Sequence, residues 1–85
     1  MSADEITWGG PVPVYQQVAD ILRRRIETGA IPAGTAIPSK RAIMESFEVG
    51  EKTAHHAVQV LKDEGLVRTS HGLGNFVVSK RVADS

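Results

Sequence analysis

Residues 39–64 read SKRAIMESFEVGEKTAHHAVQVLKDE, and the order of apolar and polar positions in this stretch decides the fold. Ser39 stands just before Ala42, Ile43 and Phe47, the apolar side of a short helix. A serine there caps a helix by offering its hydroxyl oxygen to a free backbone N–H of the first turn. Glu48-Val49-Gly50 leaves only a tight link, and a second periodic segment runs from Glu51 to Glu64. Ala54, Ala57, Val58 and Leu61 form one stripe of it, and Lys52, His55, His56 and Gln59 repeat the same spacing two positions earlier. Two positions correspond to about 200° of helix rotation, so the polar stripe faces away from the apolar one. One face packs and the other looks outward.

Working outward, Val14, Val18, Ile21, Leu22 and Ile26 recur at helical spacing with Arg23, Arg24 and Glu27 on the other side, until Gly29 supplies a stop. Ile31 to Pro38 carries two prolines and a glycine, which predicts an extended connector with a short strand at Thr35 to Ile37. Beyond the central stretch, Gly65 closes the helix. Leu66 to Ser70 reads as a strand, His71-Gly72-Leu73-Gly74 as a turn and Asn75 to Ser79 as a second strand. Residues 1–12 are predicted to be a mobile arm, 13–79 a single domain and 80–85 a frayed tail. The predicted class is mainly α with a small β-hairpin: a winged helix-turn-helix of three helices plus a wing.

Composition bounds what such a chain does. With 85 residues it holds one small core, burying about 60 to 65 % of the surface of the unfolded chain. No apolar run approaches the roughly 20 residues of a membrane helix, and Asp4 and Glu5 stand where a secretory signal needs basic residues, so a cytoplasmic location is expected. The chain has no cysteine, which excludes disulfides and thiolate metal sites. Ten basic and ten acidic residues cancel, so total charge gives no argument for nucleic acid. Distribution does, because Arg68, His71, Lys80 and Arg81 fall in a stretch from Leu66 to Arg81 that has no acid.

A short helix, a tight turn and a longer helix with polar outward residues form the arrangement in which the second helix enters a DNA major groove. Lys52, Thr53, His55, His56 and Gln59 carry donors and acceptors suited to base edges. The plainer alternative for them is a solvated helix face. The hairpin adds a glycine-bearing tip with His71 and Gly72, flanked by Arg68, suited to phosphates or a minor groove. Alone, Gly72 and Gly74 would serve only a turn; the order of the pieces is what makes the combination specific.

At this point the chain resembles the DNA-binding domain of the GntR family of bacterial regulators. The matching pieces are Pro13-Val-Tyr-Gln-Gln-Val-Ala19, Ile31-Pro-Ala-Gly-Thr-Ala-Ile-Pro-Ser-Lys-Arg41, Ala57-Val-Gln-Val-Leu-Lys-Asp-Glu-Gly-Leu-Val67 and Gly72-Leu-Gly-Asn-Phe-Val77. The resemblance implies that Arg41 contacts phosphate or base, that residues 50–55 meet the major groove, and that His71 and Gly72 approach the minor groove. The DNA-binding set expected is Ser39, Lys40, Arg41, Gly50, Glu51, Lys52, Thr53, His55, His56, Gln59, Arg68, His71 and Gly72. The chain also departs from the family, whose members commonly begin the third helix with polar-Arg-Thr-Thr-apolar-Arg where this one has Gly50-Glu-Lys-Thr-Ala-His55. Glu51 in place of arginine is repelled by phosphate, although a carboxylate also accepts from cytosine N4. Lys52 restores the positive charge one position later. His55 contributes charge only when protonated, so binding is expected to strengthen below about pH 6.5.

Members of the family usually carry a larger C-terminal domain that binds a metabolite and dimerises, and here seven residues follow Val78. No effector pocket and no cofactor is expected in that remainder. One module offers a contact of about 600 to 1,000 Å², so a homodimer is expected at least on DNA. Trp8 in the arm has two readings, an anchor for a partner or a side chain packed on its own core.

No phosphate loop, nucleophile elbow or paired carboxylates are visible, so the chain is not expected to be an enzyme. Adjacent helical histidines point about 100° apart, which argues against zinc on His55, His56 and His71. The rival to a double-stranded DNA reader, most simply a repressor, is a winged helix with a protein partner, an interaction module or antirepressor that has lost tight DNA binding. Neutral charge and Glu45, Glu48 and Glu51 near the reading face favour it.

Overall fold

The spacing of the apolar residues places three helices around one core, and a computed structural model shows how the turns between them are closed. It describes residues 6–70, 72 and 74–78; His71, Lys80 and Arg81 lie outside the described residues. Helix α1 spans Val14–Thr28, α2 Lys40–Phe47 and α3 Glu51–Asp63. Strands β1 (Val67–Ser70) and β2 (Gly74–Val77) complete the order.

Pro13 opens α1 without a side-chain cap, its carbonyl accepting from the Gln16 and Gln17 N–H groups at 3.1 and 3.2 Å. Gly29 ends the helix at φ 87°, a left-handed conformation that suits a residue without Cβ. Ser39 caps α2 as expected, its Oγ accepting from the Ala42 N–H at 3.1 Å. Glu48 leaves α2 in the left-handed region at φ 55°, the one non-glycine residue to do so among those described. That single residue turns the chain sharply enough for Gly50, in extended conformation, to start α3.

Leu22 and Val18 of α1, Ile43 of α2 and Leu61 of α3 are the largest fully buried side chains, with Ala54 and Ala57 letting the helices approach. β1 and β2 pair antiparallel, Val67 with Val77 through Ser70 with Gly74. The expected strand at Thr35 to Ile37 is an isolated bridge between Ala36 and Phe76. Two bonds of 2.9 Å flank it, Ile37 N–H to the Asn75 carbonyl and Val77 N–H to the Thr35 carbonyl. This seam ties the connector to the hairpin and so fixes the hairpin against the helices.

The stretch before Pro13 is held to α1 by Gln17. Its amide accepts from the Thr7 N–H at 2.7 Å and donates to the Thr7 and Val12 carbonyls at 2.9 Å. Ile6 packs against the core, while Trp8 is 60 % exposed and does not. No helix among the described residues is long and apolar enough to cross a membrane.

Candidate nucleic-acid interface

The sharp turn at Glu48 sets the start of α3 beside the start of α2. Lys40, Glu51, Lys52, His55, His56 and Gln59 consequently line one open depression of about 670 Å³. All six are residues that the sequence assigns to the DNA-binding set. Ser39 and Gly50, the two N-cap residues, border them. Arg41 projects from α2 with its side chain 88 % exposed. Thr53 is half-buried. Behind this face, Ala54, Ala57, Val58 and Leu61 are buried, so α3 is divided as its two stripes predict.

Electrostatics on this face are ordered by pairs. Lys40 Nζ donates to Glu51 Oε2 at 2.9 Å across the turn. That hydrogen bond, then the charge of the ammonium, holds the Glu51 carboxyl below the ordinary carboxylate range, with a smaller contribution from His55. Arg41 Nε lies 3.5 Å from Glu45 Oε2, a long contact between exposed groups. Contacts of this kind are weak in water, which leaves the guanidinium available. Lys52 makes no ion pair among the described residues.

Two members of the outward stripe are engaged within the chain, which the sequence did not signal. The His56 ring lies on Tyr15 of α1, with centroids 3.6 Å apart and planes inclined by 7°. Gln59 donates to Asp63 Oδ1 at 3.2 Å. Both remain at the edge of the face, but His56 has a fixed ring plane and Gln59 has one amide hydrogen committed.

A clamp at the other end of α3 joins it to α1. Arg23 places Nε and Nη2 on the two carboxylate oxygens of Glu64 at 2.8 and 2.7 Å, and Nη1 on Asp20 at 2.6 Å. Bonds from Arg23 to Glu64 and Asp20 raise the affinity of the guanidinium for its proton. Burial pushes the Asp20 carboxyl up, but bonds from Arg23 and Gln16 outweigh it, and the net shift is downward.

On the hairpin, Arg68 faces Phe76 in the register and shares with Thr69, Ser70 and Phe76 a second, smaller depression of about 410 Å³. Thr69 Oγ1 donates to Asn75 Oδ1 at 2.8 Å, bracing the two strands. Gly72 sits at φ 73° with open space where a Cβ would point. Its freedom is needed for the turn, and its backbone is accessible. Among the described residues no group of three His, Cys, Asp or Glu side chains is placed to hold a metal ion.

The chain is similar to known bacterial and archaeal regulators. The profile of the bacterial regulatory proteins of the gntR family matches residues 14–77. The mannosyl-D-glycerate transport/metabolism system repressor MngR of Escherichia coli is 32 % identical over 73 residues, 86 % of this chain and 30 % of its own length. The chain thus spans under a third of that relative. The solved structure of YtrA from Sulfolobus acidocaldarius, a GntR-family transcription factor, superposes with a TM-score of 0.81 at 27 % identity, covering 96 % of this chain and 88 % of that one. AraR(DBD) in complex with operator ORX1 superposes with a TM-score of 0.79 at 30 % identity, covering 87 % of this chain and 95 % of that one.

Proposed function

Since the chain belongs to the gntR family of bacterial regulatory proteins, it is a DNA-binding domain of a transcriptional regulator, and we propose that it lays α3 in the major groove of an operator and rests its hairpin on the adjacent backbone or minor groove. The observation that carries this reading is the division of α3: a buried apolar stripe behind, and in front an exposed face shared with Lys40 and Arg41 of α2. An α-helix with its side chains is about 10 to 12 Å across and the major groove about 12 Å wide, so this rod and its polar face suit that groove.

Arg41 and Lys52 are assigned to phosphates, Lys40, Glu51, Thr53 and His55 to the floor of the groove, and His56 and Gln59 to its edge. Ser39 and Gly50 place the first turns of the two helices, whose N–H groups suit a phosphate oxygen. Arg68, Gly72 and His71 belong to the wing. The small contact of one module supports a homodimer on a two-fold site, and the relative named a repressor supports repression as its action, in the cytoplasm. The relative named a repressor and the operator-bound structure favour this reading over the protein-contact module.

Selection of bound duplexes from a random DNA pool by the purified 85-residue chain tests it. Enrichment of a motif with two-fold symmetry is expected. A pool that stays random after repeated rounds at moderate salt would overturn the reading.

A further inference from the structure

Glu51 is an acid on a face that meets a polyanion, and its pairing explains how it can stay there. We propose that Lys40 and Glu51 read one C·G base pair as a unit, Glu51 accepting from cytosine N4 and Lys40 donating to guanine O6 and N7; the inference rests on the reading of α3 as the major-groove helix.

In the major-groove edge of a C·G pair the cytosine amine and guanine O6 are neighbours, joined by an N–H···O bond of about 2.9 Å. Lys40 Nζ and Glu51 Oε2 are also 2.9 Å apart, with the acceptor on α3 and the donor on α2. The ion pair therefore presents an acceptor and a donor at the spacing at which the base pair presents a donor and an acceptor. Each partner has capacity left for the task. Glu51 Oε1 has no hydrogen-bond partner among the described residues, and the ammonium has two further donors beyond the one given to Glu51.

An A·T pair offers the same central donor and acceptor but the wrong flanks. Adenine N7, an acceptor, lies beside the amine and opposes the carboxylate, and the thymine methyl crowds the ammonium. In C·G the flanks reverse in favour, since N7 gives Lys40 a second acceptor and nothing beside cytosine N4 repels Glu51. Lys40 also cancels the charge of Glu51, so the pair approaches the phosphates as a neutral unit. A glutamate is ionised, and so an acceptor, throughout the physiological range, and the Lys40 bond shifts it further in that direction.

The test repeats the selection with the parent chain, Glu51→Gln and Lys40→Ala at equal salt. A parent motif with an obligatory C·G pair is expected. Glu51→Gln should convert that one position toward A·T, because glutamine pairs with adenine N6 and N7, and leave the other positions unchanged. Lys40→Ala should flatten the preference there. On matched duplexes, exchange of that C·G pair should cost the parent about 5- to 150-fold in affinity, and much less in either variant. Competition among duplexes differing only at that position reads out a variant too weak for selection. If both variants keep the parent's base at every position, the pair is a surface salt bridge and the inference fails. If the parent enriches no motif, the major-groove reading itself fails, and this inference with it.

Discussion

The His56 ring lies flat on Tyr15, 3.6 Å between centroids, and so joins the first turn of α1 to the middle of α3. Stacked aromatic pairs contribute about 0.5 to 1.5 kcal/mol beyond their buried area, toward the lower end where one ring is exposed as His56 is. Urea unfolding of Tyr15→Ala, His56→Ala and the double variant should give a coupling of about 0.5 to 1 kcal/mol. Additive effects of the two substitutions would mean that the rings meet without holding each other.

Leu61 is fully buried, the last residue of the packing face of α3. Leu61→Ala leaves a cavity in the core and should lower unfolding free energy by about 2 to 5 kcal/mol in urea titration. In a domain this small that loss is a large share of total stability. A loss under about 1 kcal/mol would show that the core collapses to fill the space.

The clamp of Arg23 on Asp20 and Glu64 gives a pH dependence with a fixed sign. Folding lowers the Asp20 proton affinity, so its contribution is fully present above the ordinary value of 3.8 and is lost as pH falls below it. The partly exposed contact supports about 0.5 to 1 kcal/mol. Melting temperatures taken from about pH 5 down to about pH 2.5 should fall more steeply for the parent than for Asp20→Asn. Parallel curves would remove Asp20 from the account of acid stability.

Glu48 turns the chain from α2 toward α3 in a conformation that glycine adopts more readily. Glu48→Gly should be neutral or stabilising by up to about 1 kcal/mol, whereas Glu48→Val, branched at Cβ, should cost about 1 to 2 kcal/mol. Thermal melting of the two variants checks this. A strong loss in Glu48→Gly would point to an unrecognised role of the side chain.

How much of this was legible in the sequence follows from the range of each interaction. The three helices, the Ser39 cap and the hairpin came from spacing within one element, and the structure places them within one or two residues of the expected ends. Gly74, read as part of the turn, pairs with Ser70 as the first residue of β2. The division of α3 was legible for the same reason, and with it Lys52, His55, His56 and Gln59; Lys40 and Glu51, which share the depression with them, were expected only from the family resemblance. Contacts between side chains far apart in the chain were not. Nothing in the spacing pairs Glu51 with Lys40, eleven residues earlier, because the two meet only across the turn at Glu48. Arg23 meets Glu64 across 41 residues, and Tyr15 meets His56 only after α1 packs on α3. Gln17 carries no sequence signal for the three bonds by which it gathers residues 7–12.

If the shared face of α2 and α3 lies on duplex DNA, binding must release counterions and weaken with salt. Fluorescence anisotropy of a labelled duplex, titrated with the parent chain, Arg41→Ala and Lys52→Ala over about 50 to 200 mM salt, gives log affinity against log salt. A steep fall is expected for the parent, and for each variant weaker binding with a slope shallower by about 0.9, one phosphate contact, while the melting temperature stays that of the parent. Affinity independent of salt, or two variants that bind with the parent's affinity and slope, would contradict that placement of the face.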